Sequence, residues 1–403
     1  MAPVALNELF TLILAILAIM LGIAMNARSG ALRASNIPPS VLGGLVFAGS
    51  FAALHSVFGL ELEFAGAIRS ALLLVFFVGL GLAAKFSGLR QGGMQVVLMC
   101  GVIALMVVAQ NGTGIALARA FDMAPSLGLF IGSIPLLGGH GTAAAWAEAP
   151  EAAGLTGAFE LGIAAATLGL VAGGLVAGPV ATVLARVARE TPATQDLATA
   201  APAVAPGIEP GAGIAAFLSS DRWLRVLLLI AAALAIGQGL QWIAVRMGVT
   251  VPAFLTAMFG GVILTNLADV IKHPIDFQLA DLVSTVALRL FLAMAMLSLK
   301  LWALLAFVGL LSAMLVAQIA VVVLVASLLV FPLMGRDRQA AIAAGGFVGF
   351  ALGAMPVGLG TMRRLAESLG PAPRAFLVIT LAASLFADAA NAIGITTLFA
   401  LLE

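Results

Sequence analysis

The sequence has no tyrosine, one cysteine, three histidines and few charges, and each shortage excludes something. Charged residues make up 9% and hydrophobic ones 63%. Soluble domains run near a quarter charged and about half apolar, so this chain has too little polar material to coat a water-facing surface. The single cysteine, Cys100, rules out an intrachain disulfide and reads as a packed thiol inside an apolar run. No Cys/His cluster suits a transition-metal site, and no Ser-His-Asp arrangement has a natural setting, so an enzyme is not expected. Basic residues occur at most in pairs, which leaves no nucleic-acid footprint. Without tyrosine, the aromatic belt at the membrane interface must rest on Trp146, Trp223, Trp242, Trp302 and phenylalanines. The stretch Met1 to Leu21 lacks the basic region and cleavage site of a signal peptide and reads as a retained first span.

What is abundant is apolar sequence in stretches of about 20 residues, the length that crosses a bilayer core. Glycine is also plentiful, at 45 residues, as suits helices in close contact within lipid. Hydropathy places ten spans near 8–26, 38–57, 68–86, 94–118, 158–187, 222–246, 252–270, 282–300, 302–333 and 373–400. Two more segments, 125–150 and 340–368, are apolar but rich in Gly, Pro and small residues. Each is expected to be a re-entrant hairpin, which membrane depth tolerates only inside protein or beside a water-filled cavity. With the N-terminus outside, fifteen of the 19 Lys and Arg fall on inner segments, and only Arg69, Arg119, Arg246 and Lys300 fall outside. That asymmetry follows the positive-inside rule and puts both termini in the periplasm of a bacterial inner membrane. The stretch 188–221, rich in Ala, Pro and Thr, reads as a cytoplasmic linker between a first half, 1–187, and a second, 222–403.

The halves echo each other. Asn36-Ile37-Pro38 leads to Gly43 and Gly44, and Thr250-Val251-Pro252 leads to Gly260 and Gly261. Phe76 to Leu82 resembles Phe291 to Leu297, Gln110 matches Gln318, and Gly138-Gly139 with Gly141 matches Gly345-Gly346 with Gly349. Five spans per half is an odd number, so the second half must enter the membrane in the opposite sense. The expected fold is therefore an all-α membrane protein of two inverted-topology repeats, each with five transmembrane helices and one re-entrant hairpin. Such repeats place a binding site near the midplane, where the broken elements meet, and carry solutes by alternating access.

Several residues could carry that chemistry. Asp388 lies well inside the last span, where a lone carboxylate costs on the order of 3 kcal/mol even on the mildest scale. It reads as a sodium or proton site or as a structural acid, with Asn391 one turn on. Ser133 to Thr142, centred on Gly138-Gly139-His140-Gly141-Thr142, cannot form a smooth helix around Pro135 and the glycines. It leaves carbonyls for a cation and helix-start amides for an anion, with Thr142 as a cap and His140 as a donor or a turn lock. The second hairpin, with Gly349 and Gly353 and an expected break at Pro356, Gly358 and Gly360, has almost no side-chain oxygen before Thr361 and must bind through its backbone. Gln110 and Asn111 are adjacent amides that cannot point the same way. Lys85 should snorkel to the interface. Arg289, read near the inner end of its span, could pair with a substrate carboxylate.

Gly132-Ser133-Ile134, then Gly138-Gly139-His140-Gly141-Thr142 and Ala143-Ala144-Ala145-Trp146, resemble the bacterial sodium/glutamate symporter family. So do Gln110-Asn111 with Gly114, Phe291 to Met296, Leu299-Lys300-Leu301-Trp302, and Asp388 with Asn391. The resemblance implies a homodimeric, sodium-coupled carrier of glutamate that moves a substrate-holding core past a fixed scaffold. It implies no cofactor beyond the coupling sodium ion. On this resemblance substrate is expected at Gly138, Gly139, His140, Gly141, Thr142, Gly353 and Pro356, joined by Arg289 from its charge. The ion is expected at Ser133, Gln110, Asn111, Gly349, Asp388 and Asn391. The chain departs from the family at Met355, Val357 and Thr361, where threonines and an asparagine are usual, at Gly79 and Ala83, and at Arg289. Lost hydroxyls should shift preference. A carrier of another organic anion or dicarboxylate, coupled to protons or sodium, therefore stays open, as do a channel and a membrane scaffold.

Overall fold

The computed structural model describes residues 4–30, 32, 37–59, 62–85, 93–152, 155–189, 220–247, 251–272 and 275–402. Most of the expected linker lies outside these residues, as do Asn36, Thr250, His273 and the side chain of Trp302. The protein is an all-α, multi-spanning membrane protein. Among the described residues, nine helices are long and apolar enough to cross a bilayer. Their only sheet is a parallel pair of short strands, β1 (Val4–Leu6) and β2 (Leu62–Phe64).

The helices are α1 (Glu8–Arg28), α2 (Pro39–Phe58), α3 (Ala67–Ala83) and α4 (Gly93–Ala120). A broken stretch follows: a 3-10 turn, Pro125–Ile131, then α5 (Ser133–Leu136) and α6 (Gly139–Ala152). Next come α7 (Ala158–Arg186), α8 (Ser220–Arg246), α9 (Ala253–Val270), α10 (Phe277–Leu297) and α11 (Val308–Val325). The chain ends with α12 (Arg338–Leu369), α13 (Pro373–Ala382) and α14 (Asp388–Leu402). Boundaries follow local chemistry. Asn7 caps α1 by accepting from Phe10 N–H, Pro38 and Pro39 open α2, and Gly59 closes it in the left-handed region. Asp276 and Asp337 cap α10 and α12 through the amides of Leu279 and Ala340. Asp276 also takes two hydrogen bonds from Arg222, which hold its carboxyl below the usual carboxylate range.

Packing sorts the helices into two groups. α1, α2, α3, α8, α9 and α10 pack among themselves, while α4, the broken stretch, α7, α11, α12, α13 and α14 form the second bundle. Contacts between the bundles are sparse, the main one being α10 against α6. In the first bundle backbones approach closely at glycines. A Cβ on Gly43 would lie 1.7 Å from Ala18 O on α1, and one on Gly260 would lie 2.1 Å from Ala233 O on α8. Gly44 faces Met296 on α10, and Gly261 faces Val78 on α3. Each of the two glycine pairs matched by sequence thus joins its own half with one residue and the opposite half with the other.

α12 counts as long enough to span, yet it is broken. Gly353 and Ala354 leave helical geometry, Ala354 with φ 62°. Its two arms then run back along each other. Gly346 packs against Met362, Gly345 against Leu365 and Gly349 against Gly358. The sequence match of Gly138-Gly139 to Gly345-Gly346 is therefore out of register: the latter two lie within the first arm, and the break comes about two turns later. α13 and α14 are continuous through a π-turn, Ala383–Ala387, that ends immediately before Asp388. A second π-turn, Ala326–Val330, follows α11. Such turns recur at functional sites.

Three sequence expectations are corrected. Trp146 is no belt residue: it is buried, stacked on Phe399 at 5.8 Å and edge-on to Phe254 at 5.3 Å. Its apolar neighbours come from helices distant in sequence, which hydropathy cannot reveal. Trp242 is exposed near the end of α8, with Arg246 over its ring at 4.0 Å. Lys85 does not merely snorkel but lies 3.7 Å from Asp269 and over the Phe277 ring at 4.2 Å. Arg289 lies near the middle of α10, because that helix begins at Phe277 rather than near residue 282.

Candidate functional site

The two breaks meet. A Cβ on Gly139 would lie 3.3 Å from the Cβ of Ala354. Both residues have positive φ, 74° and 62°, so each turn is made where a left-handed residue lets a helix restart at once. The helix after each tip starts there, with its first N–H groups lacking intrahelical partners and its positive dipole end at the tip. The first arm of α12 ends there too, at the carbonyl end of its dipole. Both tips rest on α7: a Cβ on Gly169 would meet Leu352 O at 2.3 Å and Leu136 Cδ2 at 2.4 Å. Only a glycine permits that approach.

Amide side chains from α4 and α11 hold the tips. Gln110 Nε2 donates to Ala351 O at 2.7 Å. Gln318 Nε2 donates to Ile131 O and to Gln110 O, both at 2.9 Å. Asn111 turns the other way from Gln110, as adjacent amides must, and its Oδ1 accepts from Ser133 N–H at 2.9 Å. Ser133 Oγ donates to Asn391 Oδ1 at 2.6 Å, and Asn391 Nδ2 returns a bond to Ser133 O at 3.2 Å. All five side chains are fully or almost fully buried. The bonds assign every amide orientation, since a carbonyl can only accept. Gln110 Oε1, Gln318 Oε1 and Asn111 Nδ2 are left buried without a partner among the described residues.

The expected site residues divide accordingly. Gly138, Gly139, His140, Gly141 and Thr142 lie at or just past the first tip, and Gly353 and Pro356 flank the second. Thr142 does not cap α6; it lies inside the first turn and donates to Gly138 O at 3.0 Å. Ser133, Asn111 and Asn391 form one cluster, and Gln110 reaches the second tip. Gly349 is buried between the arms of α12, where it gives Gly358 room. Asp388 is partly buried just after the π-turn and makes no hydrogen bond or ion pair among the described residues, not even with Asn391. Arg289 is exposed on α10, in the other bundle. Its neighbour Leu288 reaches to 3.1 Å from where a Cβ on Gly141 would sit, so α10 flanks the first tip.

Sequence reasoning missed Thr167 on α7, which contacts His140 at 3.0 Å. It also missed Glu160, a buried acid in the first turn of α7 whose carboxylate lies 3.4 Å from Lys300 N. A lone Thr among apolar residues carries no signal, whereas an acid in a span does. Among the described residues no group of three or more His, Cys, Asp or Glu is placed to hold a metal ion.

A family profile described as sodium/glutamate symporter matches residues 4–371, which leaves Asp388 and Asn391 beyond its end. Single relatives reach further. The sodium/glutamate symporter of Escherichia coli K12 is 35% identical over 393 residues, covering 96% of each chain, and that of Shigella flexneri matches equally. The sodium/glutamate symporter of Haemophilus influenzae is 33% identical, covering 98% of this chain and 97% of its own. No solved structure gives a significant match.

Proposed function

The chain belongs to the sodium/glutamate symporter family, and from that premise we propose that it takes up glutamate with sodium across a bacterial inner membrane. The observation that carries the reading is the meeting of two broken elements at Gly139 and Ala354. Free N–H groups at two helix starts suit the two carboxylates of glutamate. The carbonyl end of the first arm of α12 suits a cation beside them. Gly138 to Thr142, Gly353 and Pro356 hold the solute, and Arg289 supplies a guanidinium from the neighbouring bundle. Ser133, Gln110, Asn111, Gly349, Asp388 and Asn391 serve the ion, Asp388 supplying the negative charge.

The two breaks are read as re-entrant hairpins entering from opposite faces of an inverted repeat, five spans and one hairpin to a half. The exchange of glycine contacts between halves supports this, as does the mutual grip of Gln110 and Gln318 on each other's broken elements. Both termini then face the periplasm. Sparse contacts between the bundles suit a hairpin-bearing core that slides against a six-helix scaffold, the scaffold forming the homodimer.

Reconstitution tests this directly. Vesicles with an inward sodium gradient should accumulate labelled L-glutamate, and the same vesicles with potassium or choline outside should not. Uptake that ignores sodium would remove the coupling. A second reading, a carrier of another organic anion or dicarboxylate coupled to protons or sodium, draws on Arg289 and on a second hairpin without side-chain oxygens before Thr361. A thermal-shift series of acidic metabolites, with and without sodium, separates the two.

A further inference from the structure

His140 is the second residue of α6 and is 5% exposed. Its Nε2 lies 3.0 Å from Thr167 Oγ1, and Thr167 Oγ1 lies 2.9 Å from Ile163 O. A threonine hydroxyl has a single proton. Both contacts are hydrogen bonds only when Thr167 donates to Ile163 O and His140 Nε2–H donates to Thr167 Oγ1. The neutral ring then carries its acceptor lone pair on Nδ1.

That acceptor is unclaimed. No hydrogen bond among the described residues reaches Nδ1, and it is not one of the polar atoms sealed from solvent without a partner. The other free acceptors are Gln110 Oε1 and the carbonyl end of the first arm of α12, read above as serving the cation, and Gln318 Oε1, sealed from solvent; four nearby carbonyls are already engaged. Ala351 O is taken by Gln110, Ile131 O by Gln318, Gly138 O by Thr142 and Ser133 O by Asn391. Donors are plentiful, because helix starts supply N–H groups. The site therefore recognises carboxylates many times over and a cationic donor at few places.

We infer that His140 Nδ1 accepts a hydrogen bond from the substrate's α-ammonium group, and that Thr167 is the positioning residue that fixes the tautomer. The pair separates an α-amino diacid from a plain dicarboxylate of the same length. This inference rests on the reading of the tips as a glutamate site. A site that hydrogen-bonds a polar group rejects the analogue lacking it far more strongly than a missing methylene would be rejected.

The test is competition in proteoliposomes. Uptake of labelled L-glutamate is measured against unlabelled L-glutamate and against glutarate, which lacks only the amino group. Wild-type protein should need about 10,000-fold more glutarate than glutamate for half-inhibition. Thr167→Val should shrink that ratio about tenfold by raising the glutamate value while leaving the glutarate value in place. Thr167→Ser, which keeps the hydroxyl, should restore it. His140→Leu should erase the ratio, with size-exclusion profiles confirming the fold. An unchanged ratio in Thr167→Val overturns the inference. So does an equal loss of both solutes in His140→Leu, the mark of a ring that donates to a carboxylate. Wild-type vesicles that take up no glutamate overturn the functional reading and the inference with it.

Discussion

Gln318 on α11 donates from its side-chain amide to the backbone carbonyl of Gln110 on α4, at 2.9 Å. The same amide holds Ile131 in the first broken element, while the Gln110 side chain holds Ala351 in the second. Each glutamine therefore grips the break that belongs to the opposite half. Replacing Gln318 by Leu takes this donor from Ile131 O, at about 1–3 kcal/mol, while Gln110 O keeps its bond within the ladder of α4. It also removes an orphaned oxygen, which offsets part of the loss. Gln318→Leu should lower the apparent melting temperature of purified protein by several degrees, and an unchanged melting temperature would count against the clamp.

The carboxylate of Asp388 stands at the end of a π-turn without an ion-pair partner among the described residues. Losing its charge should therefore cost little folding stability. Asp388→Asn should elute as folded protein yet lose the dependence of uptake on sodium. Sodium stimulation that survives in the variant places the ion elsewhere.

The first tip tolerates little. Alanine at Gly139 keeps a positive φ at a cost of roughly 1–2 kcal/mol, with its Cβ 3.3 Å from that of Ala354. Gly139→Leu adds bulk between the tips and should reduce uptake to background. Gly174→Ala on α7 is the control, because a Cβ there meets nothing within 4 Å. Full uptake by Gly139→Leu would mean that the tips need not meet.

Asp276 and Arg222 tie the start of α10 to the start of α8. The Arg222 hydrogen bond is the main cause that depresses the Asp276 carboxyl. A depressed carboxylate stabilises fully above the ordinary value of about 3.9, and its contribution is lost as pH falls through the folded value. Asn caps helices about as well as Asp, so Asp276→Asn removes the charge and keeps the cap. The variant should be less stable by about 1 kcal/mol, and by the same amount at pH 5 as at pH 8. A penalty that shrinks between pH 8 and pH 5 would point to another titrating group.

Membrane residence, most of the long apolar helices and the two interrupted segments were legible in the residues alone, but the second break, expected at Pro356, Gly358 and Gly360, falls at Gly353 and Ala354. Hydrophobic length and the Gly/Pro interruptions near Pro135, Gly138 and Pro356 act locally, and lipid leaves a backbone few other options. The expectation that Gln110 and Asn111 diverge was also local, since adjacent residues on a helix cannot share a direction. What needed the tertiary structure was every relation between distant residues. That Gly139 meets Ala354 rather than Gly345 or Gly346, that Trp146 is interior, that Thr167 holds His140, and that Arg289 belongs to the other bundle are outcomes of packing. Each depends on which helix faces meet across the two halves, and in a chain this uniformly apolar no residue's own hydropathy says which face is turned inward.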